Sequence, residues 1–355
     1  MSVMNPDDPA SFRHCEVNNL NGIRIHFVDE NPSSGKVLLL LHGFPDLWFV
    51  SKGYRVIAPD LRGYGSTSSP EDHHVYGHKT VSDDLVALLD YLKIPKVTVL
   101  AHDWGGSVGW RFAQFYPKRT LAIAVFCTPY SPPNKEYIPL EDIVKRVPNF
   151  RYQLRLSSPD CDKELDADPE QFLMRMLRPC NDGVGPMYDA DKDSIIQGRP
   201  KVARTKALSE RQLKYYVDQY QKTGFHGPLN WYRTTKVRFE ESKANLFSLP
   251  FFRLRLDLNP IINLPAMMVT ASRDVALPPR MAVGMDKFIP KLEIHNVEDA
   301  GHWVLWEKPR ESLYAFDLPH DHVMGLYHRQ HWLCKAGAVK VESKGETAGT
   351  KDVAI

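Results

Sequence analysis

A chain of 355 residues with 43% apolar and 25% charged side chains can bury a large core, as one domain with an insertion or as two. Lys plus Arg number 45 against 43 Asp plus Glu, a net charge of +2, which gives no basic footprint for nucleic acid or a membrane surface. Five widely spaced cysteines without a C-x-x-C pair indicate neither a zinc site nor a disulfide framework. Met1–Ala10 has no apolar signal core, and no run reaches membrane-spanning length, so the expected location is cytoplasmic.

Residues 1–12 read as a loose lead-in. His14–Val17 and Ile23–Val28 alternate around an Asn/Gly turn, which predicts a β-hairpin. Val37–Leu41 is continuously apolar, as a buried parallel strand is, and feeds His42-Gly43-Phe44-Pro45. A second strand, Tyr54–Ala58, leads into the Gly-rich loop Pro59-Asp60-Leu61-Arg62-Gly63-Tyr64-Gly65. Ser82–Tyr91 is an amphipathic helix with Leu85, Leu88 and Leu89 on one face. Val97–Leu100 is a short buried strand, followed by a sharp turn at Ala101-His102-Asp103-Trp104-Gly105 and a helix over Ser107–Tyr116. Another strand, Leu121–Phe126, completes a strand–helix alternation that predicts a parallel, doubly wound sheet.

The rhythm breaks at Thr128–Pro133. Residues 130–264 are expected to form an inserted helical cap, with helices at Glu141–Val147, Pro169–Leu177 and Glu210–Thr223. Strands return at Pro265–Ala271 and Leu292–Asn296, and Glu311–Phe316 starts a closing helix. The α/β core is therefore expected over 14–129 and 265–334, and the polar stretch 335–355 is expected to be disordered.

Strand, tight turn and helix, with small residues flanking one polar residue, is the layout of a nucleophile elbow. Its tip here is Asp103, already ionised at neutral pH and suited to displacing a group at an sp³ carbon to give an alkyl ester. The elbow, His42-Gly43-Phe44-Pro45, the Pro59–Gly65 loop, Gly227-Pro228-Leu229-Asn230-Trp231-Tyr232-Arg233 and Ala300-Gly301-His302-Trp303 together resemble the soluble epoxide hydrolase family of the α/β-hydrolase fold. The resemblance runs from about residue 14 to about 316.

That resemblance implies the chain order nucleophile, acid, histidine: Asp103, then Asp274 just past a strand, then His302. Asp299 is a rival acid, but it follows no strand end. The backbone N–H groups of Phe44 and Trp104 would form an oxyanion hole, with a cis peptide at Pro45. Tyr152 and Tyr232 match the family's paired cap tyrosines, which hydrogen-bond the epoxide oxygen as the ring opens. His42, Pro45, Trp231 and Trp303 are expected to wall the pocket, and His102 to pack beside the nucleophile. Tyr215, Tyr216 and Tyr220 are expected in the cap core. The reaction expected is attack by Asp103, then hydrolysis of the ester by water that His302 activates, giving a vicinal diol. The partners implied are an apolar or aryl epoxide and water, with no metal or organic cofactor; His320, His322, His328 and His331 lack the companions of a metal site.

A haloalkane dehalogenase shares the fold and the Asp nucleophile, but commonly has Asn where Phe44 stands. A non-catalytic ligand-binding relative is the other alternative. Three segments depart from the family pattern: the short connection 46–53, the long return 249–263 and the sequence past Phe316. They read as an alternative splice form or gene-model junctions, and the short connection would leave one sheet face exposed.

Overall fold

The computed structural model describes residues 8–45, 54–205, 208–243, 245–249, 252–255 and 258–314. The strands are β1 (His14–Leu20), β2 (Ile23–Glu30), β3 (Val37–Leu41), β4 (Arg55–Pro59), β5 (Val97–His102), β6 (Thr120–Phe126), β7 (Asn245–Leu249), β8 (Phe252–Arg255), β9 (Ala266–Ala271) and β10 (Leu292–Val297). Eight of them form one sheet in the order β1-β2-β4-β3-β5-β6-β9-β10, and β7 and β8 pair separately. Only β1–β2 and β2–β4 are antiparallel within the large sheet; the other neighbours run parallel.

The apolar runs of the central strands follow from burial on both faces. Leu39, Leu41, Val97, Val99, Ala101 and Ile123 turn to one layer, where helices α1 (His78–Tyr91) and α2 (Trp104–Phe115) bring Val81, Leu85, Leu88, Val108 and Phe112. Leu38, Leu40, Val56 and Ala58 turn to the opposite face. These four are buried, so the exposed face expected beside the short connection is not seen. Residues 46–53 themselves, and the departures past Phe316, lie outside the described residues. So do His320, His322, His328 and His331 and the tail 335–355.

Helix α1 begins at His78, four residues before the expected start. A carboxylate distant in sequence explains the extension: Glu241 accepts hydrogen bonds from the backbone N–H of Lys79 at 2.8 Å and of Thr80 at 3.1 Å. These are orphan donors of the first turn. The segment between β6 and β9 contains the three expected helices, at Leu140–Arg146, Pro169–Met176 and Glu210–Thr223. It also contains four that periodicity did not reveal, at Arg151–Ser157, Cys161–Ala167, His226–Asn230 and Thr235–Ser242. Part of the long 249–263 return is accounted for by the β7–β8 pair, which was not foreseen. Among the described residues no helix is long and apolar enough to cross a membrane.

Candidate active site

The strand order places β4 on one side of β3 and β5 on the other, so the chain reverses direction of winding between β3 and β5. Ligands of open α/β sheets bind in the crevice at such a point, beyond the carboxyl ends of the strands. The register Leu41↔Ala101 brings the two segments that leave these strands, His42–Phe44 and His102–Trp104, side by side. Two glycines permit the approach. A Cβ on Gly43 would lie 2.3 Å from the Asp103 Cβ, and one on Gly105 would lie 2.2 Å from the Leu41 carbonyl oxygen.

Asp103 occupies the corner with φ 52° and ψ −121°, a conformation that costs a non-glycine residue roughly 1–3 kcal/mol. The Thr128 hydroxyl holds it there by donating to the Asp103 carbonyl at 2.8 Å. The Phe44 N–H donates to Asp103 Oδ1 at 2.8 Å, and the other carboxylate oxygen lies 3.4 Å from His302 Nε2. Trp104 opens α2, so its N–H belongs to the first turn, whose donors have no intrahelical partner. The Phe44–Pro45 peptide is cis, as expected.

His302 Nδ1 donates to Asp274 Oδ2 at 2.8 Å. Asp274 is itself fixed, its Oδ1 accepting from the N–H groups of Ala276 and Leu277 at 2.9 Å each. The rival Asp299 pairs with Arg273 on the surface instead. His102 donates from Nε2 to the His302 carbonyl at 2.8 Å, which anchors the histidine loop.

Burial opposes the charged form of His302, yet the Asp274 charge and the bonds to Asp103 and Asp274 outweigh it and push its pKa up to about 10. Burial likewise works against ionisation of Asp103, but the His302 bond and charge bring its carboxyl below the usual value. Asp274 is lowered in the same way, against burial, by His302 and two backbone amides. The two flanking carboxylates thus favour the protonated form of the ring.

Tyr232 packs edge-on against Trp104 at 5.0 Å and Phe44 at 5.7 Å between ring centroids, and Tyr152 meets Tyr232 at 6.4 Å. Burial first, and the Asp103 charge second, raise both phenols above the ordinary value, so both remain protonated donors. Trp231 is buried and donates to the Arg62 carbonyl at 3.0 Å; Trp303 packs on His302 and donates to the Met176 carbonyl at 2.7 Å.

His42 does not fit the pocket-wall reading. It is 1% exposed, with Nδ1 toward the Gly43 carbonyl and Nε2 accepting from the Leu61 N–H. It braces the Phe44 segment from below. Tyr216 and Tyr220 are buried as expected, but Tyr220 also reaches the site, donating to the Pro45 carbonyl at 3.1 Å. Helical spacing could not reveal that bond. His102, Cys127 and His302 converge closely enough to share an ion, but His302 Nδ1 is taken by Asp274, while His102 and Cys127 both donate to the His302 carbonyl.

Residues 36–309 match the alpha/beta hydrolase fold family. The chain is 36% identical to the "Bifunctional epoxide hydrolase 2" of Rattus norvegicus over 86% of this chain and 55% of that protein. It therefore spans about half the length of the mammalian relatives it matches. The "Epoxide hydrolase srdG" of Neurospora crassa is 31% identical over 87% of this chain and 95% of its own length. Among solved structures, epoxide hydrolase VrEH1 from Vigna radiata superposes with a TM-score of 0.73 at 27% identity, covering 87% of this chain and 98% of that one. Epoxide Hydrolase A from Mycobacterium thermoresistibile gives 0.70 at 30% identity, covering 86% and 96%. Sequence similarity and sheet topology agree across most of the chain, and it belongs to the epoxide hydrolase family of the α/β-hydrolase fold.

Proposed function

We propose that the chain adds water to an apolar or aryl epoxide through a covalent ester on Asp103. The observation that carries this reading is a backbone-strained carboxylate facing an imidazole 3.4 Å away, with Tyr232 packed against Phe44 and Trp104 and Tyr152 packed against Tyr232. Asp103 attacks one epoxide carbon while Tyr152 and Tyr232 donate to the departing oxygen. The result is a hydroxyalkyl ester.

Ester formation removes the negative charge of Asp103 from beside His302. One of the two carboxylates that hold its pKa near 10 is then gone. The imidazolium gives up its proton, relayed by the phenols to the ring-opened alkoxide, which becomes the hydroxyl, and the neutral ring can serve as base. Asp274 keeps the ring oriented. Water, deprotonated by His302, attacks the ester carbonyl, and the N–H groups of Phe44 and Trp104 receive the oxyanion. Diol departs and the Asp103 carboxylate returns.

In this reading residues 130–264 are a cap that brings Tyr152 and Tyr232 over the core formed by 14–129 and 265–334. Pro45, Trp231 and Trp303 line the pocket. A cytoplasmic setting is supported by cysteine usage, since Cys15, Cys127, Cys161 and Cys180 are all free thiols.

The test is a parallel assay of an aryl epoxide for diol and of a chloroalkane for halide. Diol without halide is expected, because Phe44 supplies no side-chain donor for a halide ion. Halide release without diol would favour the dehalogenase reading, and saturable binding with neither product would favour a non-catalytic relative.

A further inference from the structure

A cavity of about 520 Å3 lies in the helical insertion, between helices Cys161–Ala167 and Pro169–Met176 and the loop at 196–201. Its lining includes neither the triad residues, nor Phe44 or Trp104, nor Tyr152 or Tyr232. Five basic side chains (Arg155, Lys163, Arg175, Arg199 and Lys201) line it against three carboxylates.

The carboxylates are already committed. Glu164 accepts from Arg155, from the Ser194 hydroxyl and from the N–H groups of Ile195, Ile196 and Gln197. Asp160 pairs with Arg155 at 2.8 Å, and Asp168 lies 3.5 Å from Lys201. Arg199 is held by Asp189 at 4.0 Å and by the carbonyls of Met187, Ile195 and Pro186, which leaves Lys163 and Arg175. Lys163 makes no ion pair or hydrogen bond among the described residues. Arg175 is 6% exposed, donates from Nη2 to the Pro200 carbonyl at 2.7 Å, and has an Nε without an acceptor among the described residues. Burial, then the nearby Arg199 and Arg178, work against its charge and outweigh the favourable charge of Asp189.

A guanidinium taken from water without a counter-charge is costly, and an anion entering beside it offsets that cost. Arginine forks and lysine ammonium groups are the usual recognisers of phosphoryl oxygens. Lys163 and Arg175, neither of which makes an ion pair among the described residues, match the two charges of a dianion. Ala167, Ile196 and Pro200 add apolar wall, and the volume falls within the roughly 300–1,000 Å3 range of small-molecule pockets. We propose that this cavity is a second ligand site, separate from the epoxide site, that binds the phosphate monoester group of a small organic molecule through Arg175, with Lys163 and Lys201 at its rim.

Calorimetric titration of the full chain with phenyl phosphate tests this. The expected result is saturable binding at one site, weaker for monoanionic benzoate, and not displaced by an aryl diol. Arg175→Gln should weaken it about tenfold or more, equivalent to about 1.4 kcal/mol, with aryl-epoxide turnover retained. The Lys163→Gln/Lys201→Gln pair should weaken it severalfold, and this variant decides the matter if Arg175→Gln fails to fold by circular dichroism. No saturable binding to the unaltered chain, displacement by the diol, or affinity unchanged by these substitutions would overturn the proposal. Benzoate binding as tightly as phenyl phosphate would overturn it too.

Discussion

Asp103 is held by four contacts of different kinds: the Phe44 amide, the Thr128 hydroxyl on its carbonyl, the His302 ring and the glycine gap at residue 43. Its roles and those of its partners separate in time. Removing Asp274 should leave alkylation competent while disabling the base. Asp274→Asn is therefore expected to slow ester hydrolysis by about 10²–10⁴-fold, so that ester accumulates during turnover; rapid-quench mass spectrometry reads the ester fraction, and equal slowing of both steps would contradict the division of labour. The phenols act in the other half. Tyr152→Phe/Tyr232→Phe should slow ester formation by roughly 10²–10⁴-fold, measured by single-turnover quench, whereas a near-unchanged rate would reject their role as donors. The residues proposed for this chemistry could be picked out of the sequence because each sits at a strand end or in a local motif. His42 was misjudged, and the further bond of Tyr220 to Pro45 was not foreseen, because both depend on partners that only the fold brings within reach.

Elements whose boundaries depend on distant partners escaped the sequence. Helix α1 gains its first turn from Glu241, a residue far along the chain. Helix Cys161–Ala167 has little apolar periodicity, and its fixed point is Glu164, which gathers amides and a hydroxyl of the 194–197 loop together with Arg155. Burial disfavours its charge, but these donors prevail and hold its pKa at about 2 against an ordinary 4.5. A depressed carboxyl contributes stability that is complete above pH 4.5 and is lost as pH falls through about 2. The shift corresponds to about 3 kcal/mol. Glu164→Gln should thus lower unfolding free energy at pH 7 by an amount of that order, and the gap from the unaltered chain should narrow below pH 4.5. Urea titrations across pH 2–7 measure it; a gap independent of pH would contradict the assignment. By contrast, Glu210–Thr223 was read correctly from sequence, because Ser209 and Gln212 form a capping box within the segment itself.

At the scale of the whole molecule, strand–helix alternation was enough to anticipate a mostly parallel sheet, since the period-2 and period-3.6 patterns are local. Strand order was not local. It emerges from pairing, and it is the placement of β3 between β4 and β5 that makes a crevice where Phe44 and Asp103 meet. The helical segment between β6 and β9 is tied to that crevice through Tyr220 to Pro45 and Trp231 to Arg62, and Tyr232 packs there against Phe44 and Trp104. The proposed mechanism turns on one transient species, the alkyl ester. Intact-protein mass spectrometry of His302→Gln after incubation with an aryl epoxide looks for it directly. The mass should rise by one substrate molecule and the label should map to Asp103, while an unmodified protein that still binds the epoxide would contradict covalent catalysis.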